Sequence, residues 1–163
     1  MHDFGAEVAF ARLWDQDEAL PRLREAFAET TFEVQSFRGE QTIVVPVSSL
    51  LDVLAFLRDD PECAFDFLTD VTVVHWPNRP QPFELVHLLY SLSRNKRLRI
   101  KTRLGEEPVA PSVVSIWPTA NWLERECFDM FGVSFEGHPD PRRILMPDDF
   151  EGWPLRKAFP LKC

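Results

Sequence analysis

Cysteine is scarce in this sequence, and its spacing excludes the common disulfide and metal frameworks. The 163 residues include three cysteines, Cys63, Cys127 and Cys163, and no Cys-x-x-Cys pair. An odd number of cysteines at long spacings predicts neither a disulfide scaffold nor a zinc site. Because iron–sulfur clusters usually need four thiolates, we expect this chain to hold no cluster by itself. We expect Cys63 and Cys127 to be small buried side chains in a reducing compartment.

Histidine pairs, glycine loops and long apolar runs are also missing. The four histidines (His2, His75, His87 and His138) are scattered, and no glycine-rich phosphate loop is present. The chain therefore predicts neither a metal site nor a phosphate-binding loop. No run approaches the 18 apolar residues that a membrane span needs, so no transmembrane helix is predicted. The N-terminal residues lack a basic stretch followed by an apolar one, so no signal peptide is predicted.

Basic residues are outnumbered, which limits the classes of partner. Lysine and arginine total 18 against 26 acidic residues, giving a formal net charge of −8. Nucleic acids and anionic membranes bind cationic surfaces, so we expect neither as the main partner. Any contact with a membrane is expected to come through another protein. What the chain does have is a 45% apolar composition, enough for the core of about one domain.

Residues 1–104 have the pattern of an α+β head domain. Apolar residues recur at helical spacing in two segments, and alternating or β-branched residues indicate strands elsewhere. The predicted elements are a helix from Asp15 or Asp17 to Glu29, a hairpin of Thr31–Arg38 and Gln41–Pro46, a helix at Leu50–Asp59, and strands at Phe65–Trp76, Phe83–Ser93 and Arg97–Leu104. The order α-β-β-α-β-β-β predicts a two-layer head with a mostly antiparallel sheet and helices on one side. The last strand has a basic outer face, which is either solvated or contacts a partner.

Residues 105–132 predict a linker and one buried helix. Asn121 and Glu124 fit a capping box at the start of this helix, and Gly132 fits the position just after its end. Apolar residues surround most of the circumference of the helix, and a helix of this kind is normally buried.

The charges of this helix suggest a contact with another protein. Arg125, Glu126 and Asp129 cluster on the remaining arc, and buried charges need partners. We expect them to pair where this chain meets another subunit. An acid–base role for Glu124, Glu126 and Asp129 is the alternative, but no histidine lies at helical spacing from these carboxylates.

Residues 133–163 predict an extended C-terminal arm. Five prolines interrupt the segment, and no helical or strand period survives, yet many of its side chains are large and apolar. A segment of this kind cannot easily form a core of its own, so we expect it to lie on another surface and bind a partner. Arginines beside prolines and aromatic residues are typical anchors at such interfaces.

The helix and arm together resemble a known family. About two dozen positions over residues 124–160 are similar to the signature of the 30-kDa-type (C-type) subunit of proton-pumping NADH–quinone oxidoreductases, or respiratory complex I. The matching segments are Glu124-Arg125-Glu126-x-Phe128-Asp129-Met130-Phe131-Gly132-Val133, Phe135-x-Gly137-His138-Pro139-Asp140, Arg142-Arg143-Ile144-Leu145 and Phe150-x-Gly152-x-Pro154-Leu155-Arg156-Lys157-x-Phe159-Pro160. Trp153 and Ala158 depart from the pattern, where the family commonly has His and Asp.

The resemblance implies a structural role without catalytic residues in this chain. Its expected function is to support assembly of the quinone-reducing module in the peripheral arm of a proton-translocating NADH–quinone oxidoreductase. NADH, FMN, iron–sulfur clusters and quinone would be bound by other subunits, and this chain would carry no cofactor or metal. The expected partners are the 49-kDa-type (D-type) subunit and its neighbours in the quinone module. The expected location is the cytoplasmic side of the inner (plasma) membrane of a bacterium, with the membrane reached only through the complex.

The residues expected at the partner interface come from the helix and the arm. They are Glu124, Arg125, Glu126, Asp129, Phe131, His138, Arg142, Arg143, Phe150, Trp153, Leu155, Arg156, Lys157 and Phe159. Three alternatives stay open: the equivalent subunit of a membrane-bound hydrogenase-type or other-donor complex, a stand-alone enzyme using Glu126, Asp129 and His138, and a free-standing binding module.

Overall fold

The structure is a computed structural model that describes residues 19–160. The predicted start of the first helix at Asp15 or Asp17, and the residues His2 and Cys163, lie outside this range. The helices are α1 (Ala19–Ala26), α2 (Leu50–Asp59) and α3 (Ala120–Phe131), with a short 3₁₀ turn at Val47–Ser49. The strands are β1 (Glu33–Phe37), β2 (Glu40–Val44), β3 (Phe67–His75), β4 (Phe83–Ser91), β5 (Lys96–Leu104), β6 (Val109–Pro111) and β7 (Ser134–Glu136).

The predicted α+β head and its element order are confirmed. Strands β1 to β5 form one sheet in the order β1-β2-β5-β4-β3, in which the β2–β5 pair is parallel and the other three pairs are antiparallel. The predicted bounds of α2 match the structure. The strand expected from Phe65 begins at Phe67, because Ala64 has a φ of +49° and Phe65 N–H bonds back to the Leu57 carbonyl.

One face of the sheet carries the core. Helix α2 buries Leu50, Val53, Leu54 and Leu57 against it. Helix α3 packs along β3, where the Cys127 thiol donates to the Val71 carbonyl at 3.4 Å. The same hydrophobic core continues beyond residue 104 through a group of buried side chains in the segment leading to α3: Ala110, Val113, Ile116, Trp117 and Ala120. The division of the chain at residue 104 stays a prediction, and the core runs across it.

The opposite face of the sheet is charged, and several of its cations pair with carboxylates. Arg99, Lys101 and Arg103 of β5 alternate with buried residues, as expected from the sequence. Arg99 pairs with Glu40 at 2.8 Å, and Arg103 pairs with Glu33 at 2.7 Å. These exposed pairs each contribute little to stability. Part of the basic row of β5 is therefore paired within the sheet itself.

A histidine lies in the middle of the core. His87 is fully buried in β4, opposite Val71 on one side and Ile100 on the other. Neither ring nitrogen has a hydrogen-bond partner. Burial lowers the pKa of His87 to about 4, so the ring is neutral at pH 7.

Candidate partner-binding site at the third helix and the arm

The sequence predicts the end of helix α3 correctly but not its start. Gly132 ends the helix with a φ of +73°, a conformation that favours glycine, so the predicted terminus is confirmed. The predicted capping box is wrong, because the residue at the N-terminal boundary is Thr119 and no side chain caps the helix. Glu124 is used elsewhere: its Oε1 accepts from Val113 N–H at 2.7 Å and its Oε2 from the Ser112 hydroxyl at 2.7 Å. The carboxyl therefore ties α3 to the segment before it.

Asp129 organises the first part of the arm. Its Oδ2 accepts hydrogen bonds from three successive backbone N–H groups, at 3.1 Å from Ile144, 2.7 Å from Leu145 and 2.9 Å from Met146. Its Oδ1 accepts from Arg143 Nη1 at 2.6 Å. The Asp129 side chain is fully buried, and that of Arg143 is 12% exposed. One carboxylate thus holds a loop of four residues in a fixed shape.

The hydrogen bonds to Asp129 affect its pKa more strongly than its burial does. Burial alone raises the pKa of Asp129, since it disfavours the charged form. The N–H groups of Met146 and Leu145 and the Arg143 guanidinium lower it by more, so the pKa lies below its ordinary value. The carboxylate is therefore ionised at neutral pH and holds the loop as an anion.

Arg125 joins the helix to the start of the same loop. Its Nε donates to the Arg142 carbonyl at 3.0 Å, and its Nη2 donates to the Arg143 carbonyl at 3.2 Å. Its Nη1 lies 3.5 Å from the Asp140 carboxylate. The guanidinium also lies over the ring of Trp122, 5.0 Å from its centroid. Arg125 therefore uses its fork of donors within the chain, where it fixes the backbone of the arm.

His138 closes the other side of α3. Its Nδ1 accepts from Asp140 N–H at 3.0 Å, so the ring proton lies on Nε2, which contacts the Asn121 carbonyl at 3.1 Å. The same Nε2 is 3.9 Å from Glu124. Burial raises the pKa of Glu124, and the hydrogen bonds from Ser112 and Val113 oppose this rise only in part. A cavity of about 90 Å³ opens beside these groups, well below the roughly 300–1,000 Å³ of typical ligand pockets.

The end of α3 is covered by an aromatic residue of the arm. A Cβ placed on Gly132 would lie 2.5 Å from Trp153 Cε2 and 2.8 Å from Arg156 Nη2, so the arm packs directly on the glycine backbone. The Trp153 ring makes an edge contact with Phe128, with centroids 5.2 Å apart. Arg143 lies 4.6 Å from the centroid of the same ring. Trp153, which departs from the family pattern, is therefore a central anchor of the arm in this chain.

The last part of the arm reaches the sheet. Arg156 Nε donates to the Phe131 carbonyl at 2.5 Å, and its guanidinium lies over the Phe83 ring at 4.8 Å. Lys157 N–H donates to His75 Nδ1 at 3.0 Å. Phe159 stacks on Phe150 with centroids 5.9 Å apart.

Over residues 133–160 the arm is irregular, as predicted, apart from β7, which pairs in parallel with β6. The surface on which it lies includes this chain's own helix and sheet. We expected the charges of α3 to pair with another subunit, but Glu124, Arg125 and Asp129 have partners within the chain. That these residues also lie at an interface with another subunit stays a prediction.

The remaining predicted interface residues divide by exposure. Four are exposed to solvent: Glu126, Arg142, Leu155 and Lys157. Seven are half-buried: Phe131, His138, Arg143, Phe150, Trp153, Arg156 and Phe159. Sequence reasoning did not place Trp122 and Leu145 among the interface residues, although they are 64% and 56% exposed. Leu145 stands beside Arg142-Arg143 in the sequence, but the arm has no helical or strand period that would show which way its side chain points.

Neither a metal cluster nor a membrane span occurs in the described part of the chain. Within residues 19–160, no group of three or more His, Cys, Asp or Glu side chains could hold a metal ion. In the same range, none of the helices has the length and apolar character needed to cross a membrane.

The chain is similar in sequence to bacterial respiratory subunits. It is 48% identical over 149 residues to the C-type subunit of the NADH-quinone oxidoreductase of Parvibaculum lavamentivorans, covering 89% of this chain and 74% of the relative. It is 51% identical over 123 residues to the subunit of the same name from Hyphomonas neptunium, covering 76% of this chain and 61% of the relative.

Two solved structures share its fold. The trypsin-resistant fragment of Nqo5 matches with a TM-score of 0.66 at 31% identity, over 75% of this chain and 98% of that one. A chain of the membrane-bound sulfane sulfur reductase, an archaeal respiratory membrane complex, matches with a TM-score of 0.74 at 27% identity, over 90% of this chain and 86% of that one. The family model for the 30 Kd subunit of respiratory-chain NADH dehydrogenase matches residues 43–163. The chain belongs to this family of 30-kDa respiratory-chain subunits.

Proposed function

We propose that this chain is a structural subunit of a proton-translocating NADH–quinone oxidoreductase, and that it supports assembly of the quinone-reducing module. At the level of the complex, the activity is NADH:quinone oxidoreduction. The chain itself contributes no catalytic residue and no cofactor, and NADH, FMN, iron–sulfur clusters and quinone are held by other subunits. It lies in the peripheral arm, on the cytoplasmic side of the membrane.

One observation carries the proposal: the family match includes α3 and the arm, and in this structure α3 and residues 133–160 form one preorganised unit. Asp129, Arg125 and Gly132 fix the arm on the helix through buried contacts. Leu145 and Leu155 nevertheless stay 56% and 50% exposed. A rigid element that presents apolar side chains loses little conformational entropy when it binds. This supports partner binding as the role of the unit.

We assign the partner to the 49-kDa-type subunit and the neighbouring subunits of the quinone module. The experiment is to purify the tagged full-length chain from membranes of its source in mild detergent and to identify the accompanying proteins. The expected result is stoichiometric recovery of the 49-kDa-type subunit, with NADH-dependent quinone reduction in the same fraction. Recovery of the chain alone as a monodisperse monomer would contradict the proposal and favour a free-standing binding module.

Absorption spectra and metal analysis of the isolated chain test the cofactor assignment. The expected spectrum has no flavin or iron–sulfur bands and the expected metal content is below one atom per chain. A stoichiometric chromophore would refute the assignment of all cofactors to other subunits.

A related complex with another electron donor is the second candidate. The observation that favours it is the likeness to the archaeal sulfane sulfur reductase chain over 90% of this chain. The same purification separates the two, because the donor is chosen by other subunits. Nucleotide-binding NADH-module subunits and NADH oxidation support the first proposal. Their absence, with reduction of quinone by a different donor, supports the second.

A further inference from the structure

Near the end of the described arm, the backbone of Lys157 is bonded to a histidine of β3. His75 is 9% exposed, and its ring stacks on Phe83 with centroids 4.5 Å apart and planes 8° apart. Lys157 N–H donates to His75 Nδ1 at 3.0 Å across 82 residues of sequence. This bond joins the arm to the head rather than to α3.

The direction of this hydrogen bond fixes the protonation state that the contact needs. A backbone N–H can only donate, so Nδ1 must carry a lone pair and the imidazole must be neutral with its proton on Nε2. A proton added at Nδ1 would turn the acceptor into a donor that faces another N–H group. The contact is therefore possible with the neutral ring and impossible with the charged one.

The charges around His75 act in the same direction. Arg156 and Lys157 approach from the arm, and Glu106 approaches from the segment after β5. Within β4, the group against the ring is the apolar Phe83. The cations Arg156 and Lys157 and the apolar Phe83 ring disfavour a charged imidazolium at His75. The Glu106 carboxylate favours it.

We propose that His75 is a pH-dependent latch, which holds residues 157–160 of the arm on the sheet when neutral and releases them when protonated. The contacts immediately before these residues are of a different kind. Leu155 N–H bonds to the Met130 carbonyl at 3.1 Å, and Arg156 bonds to the Phe131 carbonyl. These two bonds involve no group that titrates between pH 5 and 8, so residues 155 and 156 are expected to stay docked.

The pKa of His75 supports the sign of the effect. Burial and then Arg156 lower this pKa below its ordinary 6.5. Because the docked state holds the lower pKa, docking is favoured above pH 6.5 and is lost as pH falls through the docked-state value. By linkage, each unit by which docking lowers the pKa weakens docking tenfold when the ring becomes charged. Both groups of the latch belong to this chain, so the latch can be tested independently of the proposed partner.

Hydrogen exchange of the Lys157 amide in the full-length chain tests the latch. The comparison is between the wild type and His75→Gln, whose amide oxygen accepts a hydrogen bond at every pH. Protection factors, corrected for the intrinsic rate, are measured at pH 7.5 and pH 5.5, where His87 is neutral. We expect the protection of Lys157 to fall at least severalfold in the wild type and to stay constant in His75→Gln. An equal fall in both proteins, or no fall in the wild type, would overturn the proposal.

A second measurement needs no substitution and covers the case in which the variant does not fold. Titration of the His75 ring by NMR in the wild type should give a pKa below 6.5 and, at pH 7.5, an unprotonated Nδ1. A pKa at or above 6.5, or a proton on Nδ1 at neutral pH, would refute the latch.

Discussion

Substitution of Asp129 by Asn tests whether one buried carboxylate holds the arm on the helix. Asn keeps the size of the side chain but removes its charge and one acceptor oxygen. In the structure, Oδ2 accepts three backbone N–H groups and Oδ1 accepts Arg143. The amide NH₂ of Asn must therefore face either these N–H groups or the guanidinium, and both arrangements bring donor against donor.

The expected magnitude follows from burial. The Asp129 side chain is 0% exposed and that of Arg143 is 12% exposed, so the substitution leaves a nearly buried cation without its anion. Removing one member of such a pair costs about 3–5 kcal/mol. We expect a loss of this size in the free energy of unfolding, together with loss of amide protection at Leu145 and Met146.

Urea unfolding at pH 7, followed by tryptophan fluorescence, measures this loss. Asp148→Asn is the matched control, since Asp148 is an exposed aspartate of the same arm, and it should change stability by less than about 0.5 kcal/mol. The pKa of Asp129 is lowered in the fold, so its contribution is present above the unfolded pKa of 3.8 and is lost as pH falls below it. A loss under about 1 kcal/mol at pH 7, or a loss that does not shrink near pH 3, would show that the Asp129 carboxylate does not hold the arm.

Three further substitutions test other contacts. The wild type should lose about 2 kcal/mol of unfolding free energy between pH 7 and pH 5, because the pKa of the buried His87 ring is about 4 and the unfolded state binds the proton first. His87→Phe should abolish this loss. The same dependence of thermal stability on pH in both proteins would exclude this. Gly132→Ala should lower the unfolding free energy measured in urea by at least about 2 kcal/mol, because the φ of residue 132 is +73° and the new Cβ would clash with Trp153. Adding Trp153→Ala should recover part of this loss. If the effects of the two substitutions simply add, the clash is refuted. The unfolding free energy of Glu124→Gln should stay within about 1 kcal/mol of the wild type at pH 7, because the buried carboxyl has a raised pKa and gains nothing from its charge. Glu124→Leu should lose about 1–3 kcal/mol, because it leaves the buried Val113 N–H without an acceptor. Equal losses for the two variants in denaturant unfolding would contradict this.

The head can be predicted from the sequence because its signals are local. Leu50–Asp59 carries apolar residues at helical spacing between two prolines, and Lys96–Leu104 alternates strictly, so both elements are predicted nearly to the residue. Gly132 is predictable because few residues tolerate the left-handed end of a helix. These features need no knowledge of distant partners.

The candidate site can be predicted only in part because its contacts are long-range. Asn121 and Glu124 have the spacing of a capping box, but the Glu124 carboxyl bonds to a segment 11 and 12 residues earlier in the chain. The charges of α3 indicate a need for partners but not that the partners belong to the arm. The direction of the Leu145 side chain depends on the three backbone hydrogen bonds that residues 144–146 make to the Asp129 carboxylate. No periodic pattern in the local sequence indicates these bonds.

The role of the arm in assembly is tested most directly by two exposed leucines and their effect on co-purification. Leu145→Ser with Leu155→Ser removes apolar surface that is 56% and 50% exposed and should leave the unfolding free energy of the chain unchanged within about 0.5 kcal/mol. Leu92→Ser is the matched control, since Leu92 is a 61% exposed leucine of the head. The measured quantity is the amount of the 49-kDa-type subunit that accompanies each tagged chain from source membranes. We expect at least a tenfold loss of the 49-kDa-type subunit for the double variant and no loss for the control. Full recovery of this partner with a folded double variant would contradict a role of the arm in assembly.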